Sequence, residues 1–354
     1  MPPHLAPILY TRIDMTTVLL TGDDCARIAE WPGLMRAMRE VHLEHARGDA
    51  VQPVPRSIRN PADTDAAPAQ IIPMTGYRAA TGSYVLKALA DAPHNRERGI
   101  PAQRSTVALF SAETGECRAL IDGAVLTRTR TAAVTAAATV ALAPAGASIV
   151  TIVGAGALAL EHARALVSAL PLSEIRFWSR TPAGSDAAVA TLAGEPEFAR
   201  IALNATTDLR AALNGAEIVC TLTPARDPLI SAHMLGENVH VNAVGSPPRP
   251  LFRELTPDVF GRAALTVVDA LPIALAESGN IRDAVAAGTL AADEPLELGH
   301  VLVESFARPR GLTVFNSVGI GLQDLAAAEY FLERSEVHED GLQVQLRPVR
   351  TPVS

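Results

Sequence analysis

The 354-residue sequence predicts an α/β chain in two parts, a doubly wound parallel sheet joined to a smaller α+β unit. Two observations carry this expectation. From residue 147 to about 315, short β-rich runs alternate with stretches of helical spacing, the pattern of a parallel sheet covered on both faces. Before residue 129, one helical stretch precedes several closely spaced strand candidates, which suits a largely antiparallel sheet. Hydrophobic residues make up 48% and charged residues 19%, so both parts can bury a core and wholesale disorder is excluded.

The elements follow in order. A helix is expected over about 24–48, then PVPRSIR and a polar loop, NPADTDAAPAQ. IIPMT, SYVLKAL, STVALFS and CRALIDG read as strands. An alanine-rich helix over about 129–142 breaks at Pro144-Ala145-Gly146. Strand 147–153 leads into ALALEHARALVSAL, a helix, then IRFWSR, a strand, and a helix around 184–193. TTDLRAALNG is a short helix, and EIVCTLT, VHVNAVG and LTVVDA are strands. VFNSVGIGLQDLAAAEYFLERS ends in a helix that returns to the first unit, and the polar tail from His338 reads as an exposed arm. The expected domains are therefore 1–128 with 318–354, and 129–317.

Composition narrows the function classes. Thirty basic against 38 acidic residues give a net charge of −8, with no basic stripe, which argues against a nucleic-acid binder. Residues 131–160 carry no charge, but their Ala, Thr, Gly and Pro content divides into helix, break and strand, so no membrane span is expected. Cys25, Cys117 and Cys220 are too few and scattered for a disulfide framework or a zinc site, and the N-terminus lacks a signal-peptide pattern. A reducing cytoplasm is the expected compartment. His42 and His45, three apart, read as a solvated helix face, and no metal site is expected.

Chemistry enters at VTIVGAGALALEHARAL. Gly154, Gly156 and Ala159 form G-x-G-x-x-A after a strand and at a helix start. The first glycine permits the turn, the second lets the backbone approach a pyrophosphate, and the small third residue allows close packing. The following N–H groups, from Ala157 onward, and the helix dipole favour an anion. This is the Rossmann dinucleotide fingerprint. At the end of the next strand, where NAD binders carry an acid, this chain has Ser179, Arg180 and Thr181. Arg180 suits a 2′-phosphate, so NADP(H) is expected over NAD(H), which stays possible.

Of the 30 basic residues, 29 are arginine and one is lysine, Lys87. Arginine keeps its proton under all ordinary conditions and lysine does not, so the single lysine is a candidate for proton chemistry.

Several segments together resemble the ornithine cyclodeaminase/mu-crystallin family. These are GAVLTRTRTAAVTAAATVALA with Arg130–Ala133, Lys87 followed by Asn95, GIPAQRSTVALFSAETGECRALIDG, GAGALA, RFWSRTP, VHVNAVGS and VFNSVGIGLQDLAAA, in the family's order over about 24–334. The resemblance implies a homodimer whose subunit pairs a substrate and dimerisation domain with a Rossmann domain. It implies that Arg56, Lys87 and Arg130 surround a substrate carboxylate, with Lys87 catalytic. It also implies that Thr131, the Gly154–Gly156 turn with Ala157, Ser179–Thr181, Thr221, Val244 and Ser317 lie near the cofactor.

The branch is read from a departure. Ornithine cyclodeaminase has an aspartate shortly after its A-V-G segment. Here Ser246, Pro247 and Pro248 fill that region, and the first acid is Glu254. A proline neither accepts a proton nor binds ammonium, so the reductive, ketimine-reductase-like branch is expected. VVDALPIALAESGNI, with Asp269 and Glu277, fits it. The expected reaction is NADPH-dependent reduction of a small carboxylate-bearing imine. The alternatives are an NAD-dependent amino-acid dehydrogenase or cyclodeaminase, and a protein that binds NADPH without turnover. Asp324 opens the last helix, where a carboxylate suits the N-terminal dipole.

Overall fold

The computed structural model describes residues 16–61, 68–245 and 250–346. The first sheet begins with β1 (Thr16–Leu20), β2 (Ala50–Val51), β3 (Ile58–Arg59), β4 (Gln70–Arg78), β5 (Ser83–Asp91), β6 (Gln103–Ser111) and β7 (Cys117–Asp122). The second contains β8 (Ile149–Val153), β9 (Glu174–Trp178), β10 (Ala202–Thr206), β11 (Ile218–Thr221), β12 (His240–Ala243), β13 (Leu265–Val268), β14 (Leu296–Glu297) and β15 (Thr313–Asn316). The chain then returns, and β16 (Leu342–Gln345) pairs with β1. The expected tail is therefore a sheet edge as far as Gln345; residues 347–354 lie outside the described residues.

The first sheet runs β16-β1-β7-β6-β5-β4-β2, with β3 on β4, and only its β1–β7 pair is parallel. The second runs β10-β9-β8-β11-β12-β15-β13-β14, with every ladder parallel. Its order reverses between β8 and β11. At such a switch point the connections diverge to opposite faces and leave a crevice beyond the strand ends.

Two helices join the sheets. A linking helix, Gly123–Leu142, starts earlier than its alanine-rich part suggested, because Asp122 caps it by accepting from the Ala124 N–H. Its small side chains let it bury on nearly all sides, and Ala133, Val134 and Ala138 share a core with Leu325, Ala327 and Phe331 of the final helix, Gly321–His338. The final helix lies across β4, β5 and β6. The expected first helix is two: Gly22–Ile28 and Trp31–Arg47, interrupted where Pro32 starts the second. Strand β10 was not expected, since Asn204 and Thr206 blur its pattern at the sheet edge. Among the described residues, no helix is long and apolar enough to cross a membrane.

On β5, alternate residues Ser83, Val85, Lys87, Leu89 and Asp91 are buried, whereas Tyr84, Leu86 and Ala88 are exposed. That period of two turns Lys87 toward the final helix. On the opposite face, Tyr84 stands beside Tyr77 and Phe110, and Leu86 beside Thr75 and Ala108. This leaves an apolar sheet surface facing solvent.

Candidate functional site

Lys87 and Arg130 line one cavity of about 390 Å³ with Met74, Leu89, Thr131, Val244 and Ser317. The cavity lies where the linking helix, β5 and the carboxyl ends of the parallel strands meet. Its walls are partly apolar: Ile72, Met74 and Leu89 form a small cluster of their own.

The charged centre is tightly defined. Lys87 is fully buried, and its Nζ donates to Asp324 Oδ1 at 3.0 Å. The same oxygen accepts from Arg130 Nε at 3.0 Å. Asp324 Oδ2 is buried and has no hydrogen-bond partner among the described residues. Burial pushes the Lys87 ammonium down to about 8; Asp324 opposes that shift and Arg130 adds to it. A lysine held there changes protonation close to neutral pH, as acid–base work requires.

A second carboxylate fixes the arginine from behind. Arg130 Nη1 donates to Gln323 Oε1 at 2.9 Å, and Gln323 Nε2 donates to Asp269 Oδ1 at 2.9 Å. Asp269 Oδ2 accepts from Ser317 Oγ and from the Val318 and Gly319 N–H groups at 2.8–2.9 Å. Gly319 has φ +80°, and a Cβ there would lie 2.8 Å from both terminal nitrogens of Arg130. Only glycine lets the chain end of β15 lie against that guanidinium.

The dinucleotide fingerprint has the geometry it needs. Gly154 bridges β8 to the turn with φ +129°, and a Cβ there would meet the Leu222 carbonyl at 2.9 Å. At Gly156 an added Cβ would meet no atom of the chain within 4 Å. Its smallness therefore serves something that approaches from outside, as a pyrophosphate does. The helix Ala157–Ala169 starts there, and Ala157 is exposed. Glu254 braces the neighbouring loops. It accepts from Thr221 Oγ1 and Thr223 Oγ1 and from the Thr223 and Gly245 N–H groups. Burial pushes its carboxyl up to about 7, against the pull of those bonds.

A model of the ornithine cyclodeaminase/mu-crystallin family matches residues 24–339. The chain belongs to that family. The ketimine reductase mu-crystallin of Mus musculus is 33% identical over 259 residues, 72% of this chain and 77% of the mouse protein. A Delta(1)-pyrroline-2-carboxylate reductase of Bacillus cereus is 32% identical over 257 residues, 71% of this chain and 77% of its own. The Thermococcus litoralis Delta(1)-pyrroline-2-carboxylate reductase, solved with NADH and L-proline, superposes with a TM-score of 0.84. It covers 93% of this chain and all of its own at 23% identity. These named reductases place the chain beside the reductive branch of the ornithine cyclodeaminase/mu-crystallin family.

Within this family member, five of the expected residues meet at the cavity: Lys87, Arg130, Thr131, Val244 and Ser317. The turn from Gly154 to Ala157 and the segment Ser179–Thr181 follow the ends of β8 and β9. Arg180 and Thr181 are exposed, but the Ser179 hydroxyl is already engaged, accepting from the Ser185 N–H and donating to the Thr181 carbonyl. Thr221 is fully buried and its hydroxyl is held by Glu254, so it supports the site rather than lining it. Arg56 is exposed on the irregular segment between β2 and β3 and does not line the cavity. Ser246, Pro247 and Pro248 lie outside the described residues.

Three residues have partners that the sequence did not disclose. Asp324 lies in the first turn of the final helix, as expected, and is also the buried partner of Lys87 and Arg130. His42 is buried, and its Nε2 meets Gln323 Nε2 at 3.1 Å rather than solvent. Glu254 is a strut.

That single lysine makes a direct measurement possible. In protein labelled with 13Cε-lysine, one resonance reports Lys87, and its titration is expected to centre near 8. Asp324→Asn removes the charge that favours the ammonium, so the midpoint moves to lower pH.

Proposed function

We propose that the chain catalyses the NADPH-dependent reduction of a small carboxylate-bearing imine, a cyclic ketimine or related imino acid, to the amino acid. The observation that carries this reading is a buried lysine and arginine sharing one aspartate oxygen at a cavity beside a dinucleotide turn. The names of the mouse and Bacillus cereus relatives point the same way.

A bound nicotinamide dinucleotide supplies the hydride for the imine carbon. The chain's own residues do the rest. Arg130, fixed by Asp324 and Gln323, presents its remaining N–H groups to the substrate carboxylate, a charge-assisted contact. Lys87 gives a proton from Nζ to the imine nitrogen and draws its replacement from solvent. A protonated imine accepts hydride more readily, so the proton and hydride belong together. Met74 and Leu89 keep water from one side. Thr131, Val244 and Ser317 would stand against the bound cofactor, and Thr221 braces the neighbouring loop through Glu254.

For the ribose end, Arg180 supports NADPH. It is exposed at the end of β9 with no partner among the described residues, and no acid stands there to hold a 2′-hydroxyl. Thr181 offers a further donor.

A homodimer fits the open face of the first sheet. Tyr84 and Leu86 are 48% and 40% exposed, and Ile71 is 43% exposed on the neighbouring strand. Contiguous apolar surface of this kind marks an interface. The substrate and dimerisation part would then be 1–128 with 318–354, and the dinucleotide part 129–317. The free thiols of Cys25, Cys117 and Cys220 suit a reducing cytoplasm.

Purified protein is expected to oxidise NADPH with Δ1-pyrroline- or Δ1-piperideine-2-carboxylate, and kcat/KM is expected to fall as pH rises through about 8, where Lys87 loses its proton. Lys87→Arg keeps the charge but cannot give up a proton, and turnover should fall about 100-fold or more. Wild-type turnover in that variant would remove Lys87 from the chemistry. Ammonia release from ornithine without imine reduction would instead favour the cyclodeaminase reading. Arg180→Ala is expected to raise KM for NADPH about 10- to 100-fold and leave NADH unchanged. Leu86→Lys should halve the mass seen by light scattering.

A further inference from the structure

The cavity that holds Lys87 and Arg130 has a third cation on its wall. Arg128 lines it together with Thr127, Arg130 and Thr131, one face of the linking helix. Its Nε is buried and has no hydrogen-bond partner, and no carboxylate among the described residues pairs with its guanidinium. The other charged side chains at the centre have partners, Asp324 through Oδ1 only. Lys87 and Arg130 share Asp324, and Asp269 is occupied by Ser317, Gln323 and the Val318 and Gly319 N–H groups. The described lining contains Lys87, Arg128 and Arg130 but no Asp or Glu.

A half-buried guanidinium with an unpaired inner nitrogen needs an acceptor, because desolvating a donor without replacing its hydrogen bond is costly. Three cations stand against two buried aspartates, Asp324 and Asp269, and the hydrogen bonds of those two go to other groups, so neither serves Arg128. One substrate carboxylate, taken by Arg130, would still leave the buried Arg128 Nε without an acceptor. The planar fork of an arginine is the side-chain shape that receives a second carboxylate with two parallel N–H bonds.

We infer that Arg128 forms a second anion subsite, and that the preferred substrate is an imino acid bearing a second carboxylate on its side chain. This rests on the reductase reading above and narrows its substrate. Arg130 and Lys87 take the carboxylate and nitrogen at the reacting end, and Arg128 takes the distal carboxylate. The reaction itself is unchanged: the imine carbon gains hydride, the nitrogen gains a proton, and the side-chain carboxylate passes through untouched.

The test compares two imines made in place, from oxaloacetate with ammonia and from pyruvate with ammonia, each with NADPH. Wild type should favour the oxaloacetate-derived imine in kcat/KM by about 10- to 100-fold, the range of one added charge-assisted pair. Arg128→Met should abolish that preference while keeping the pyruvate-derived rate, and Arg128→Lys should retain part of it. Calorimetry with succinate and propionate, which undergo no turnover, supplies a readout independent of catalysis. Succinate should bind the NADPH-loaded protein at least 10-fold more tightly than propionate, and Arg128→Met should erase the difference. If neither imine is reduced but the Arg128-dependent succinate preference is present, the subsite stands and the reductase reading falls. Equal use of both imines by wild type, an equal loss on both in Arg128→Met, or a rise only in KM for NADPH would overturn the proposal. The last result would assign Arg128 to the cofactor's phosphates.

Discussion

One carboxylate oxygen organises the site. Asp324 Oδ1 takes hydrogen bonds from a lysine 237 residues earlier and an arginine 194 residues earlier. All three groups are out of water, where an isolated charge is very costly and a pair is tolerated only with good geometry. That requirement fixes β5, the linking helix and the final helix against one another to within hydrogen-bond tolerance. The same shared oxygen keeps Lys87 and Arg130, two like charges, side by side. Without it their repulsion and burial would both favour a neutral lysine.

Around this centre the irregular segments are held by buried carboxylates rather than by packing alone. Asp269 gathers the backbone N–H groups of Val318 and Gly319 into one oxygen, just past β15. Glu254 holds the Thr223 and Gly245 N–H groups, one on each oxygen, past β11 and β12. Loops at the carboxyl edge of a parallel sheet have no ladder partners, and these acids replace them. The carboxyl edge of the parallel sheet is thereby held in place by buried side chains.

Much of the fold was legible because it is written in short-range patterns. The period of two in SYVLKAL puts Lys87 on the inner face, and the turn at Gly154 and Gly156 follows a strand and opens a helix as such a fingerprint demands. Partnership was not legible. Nothing near Asp324 in sequence distinguishes a helix-start acid at the surface from one buried against residues two hundred positions away. His42 looked solvated for the same reason, since the side chain that covers it, Gln323, comes from the final helix. Arg56 shows the converse: a charge in a recognisable position whose side chain stays in solvent because its segment has no regular structure. Edge strands β10 and β16 were hidden by polar residues that a half-exposed strand can carry.

The pairing of β1 with β16 has a consequence for how the molecule comes to exist. During synthesis the parallel sheet, whose strands all fall between residues 149 and 316, has every strand it needs before the other sheet does. The first sheet must wait, with β5 already made, until the last strand and the helix before it leave the ribosome. Lys87 and Arg130 therefore wait for their anion until 237 and 194 further residues have been made. Contacts of such long sequence separation form slowly and late, so the cluster of Lys87, Arg130 and Asp324 is completed after the framework of the parallel sheet.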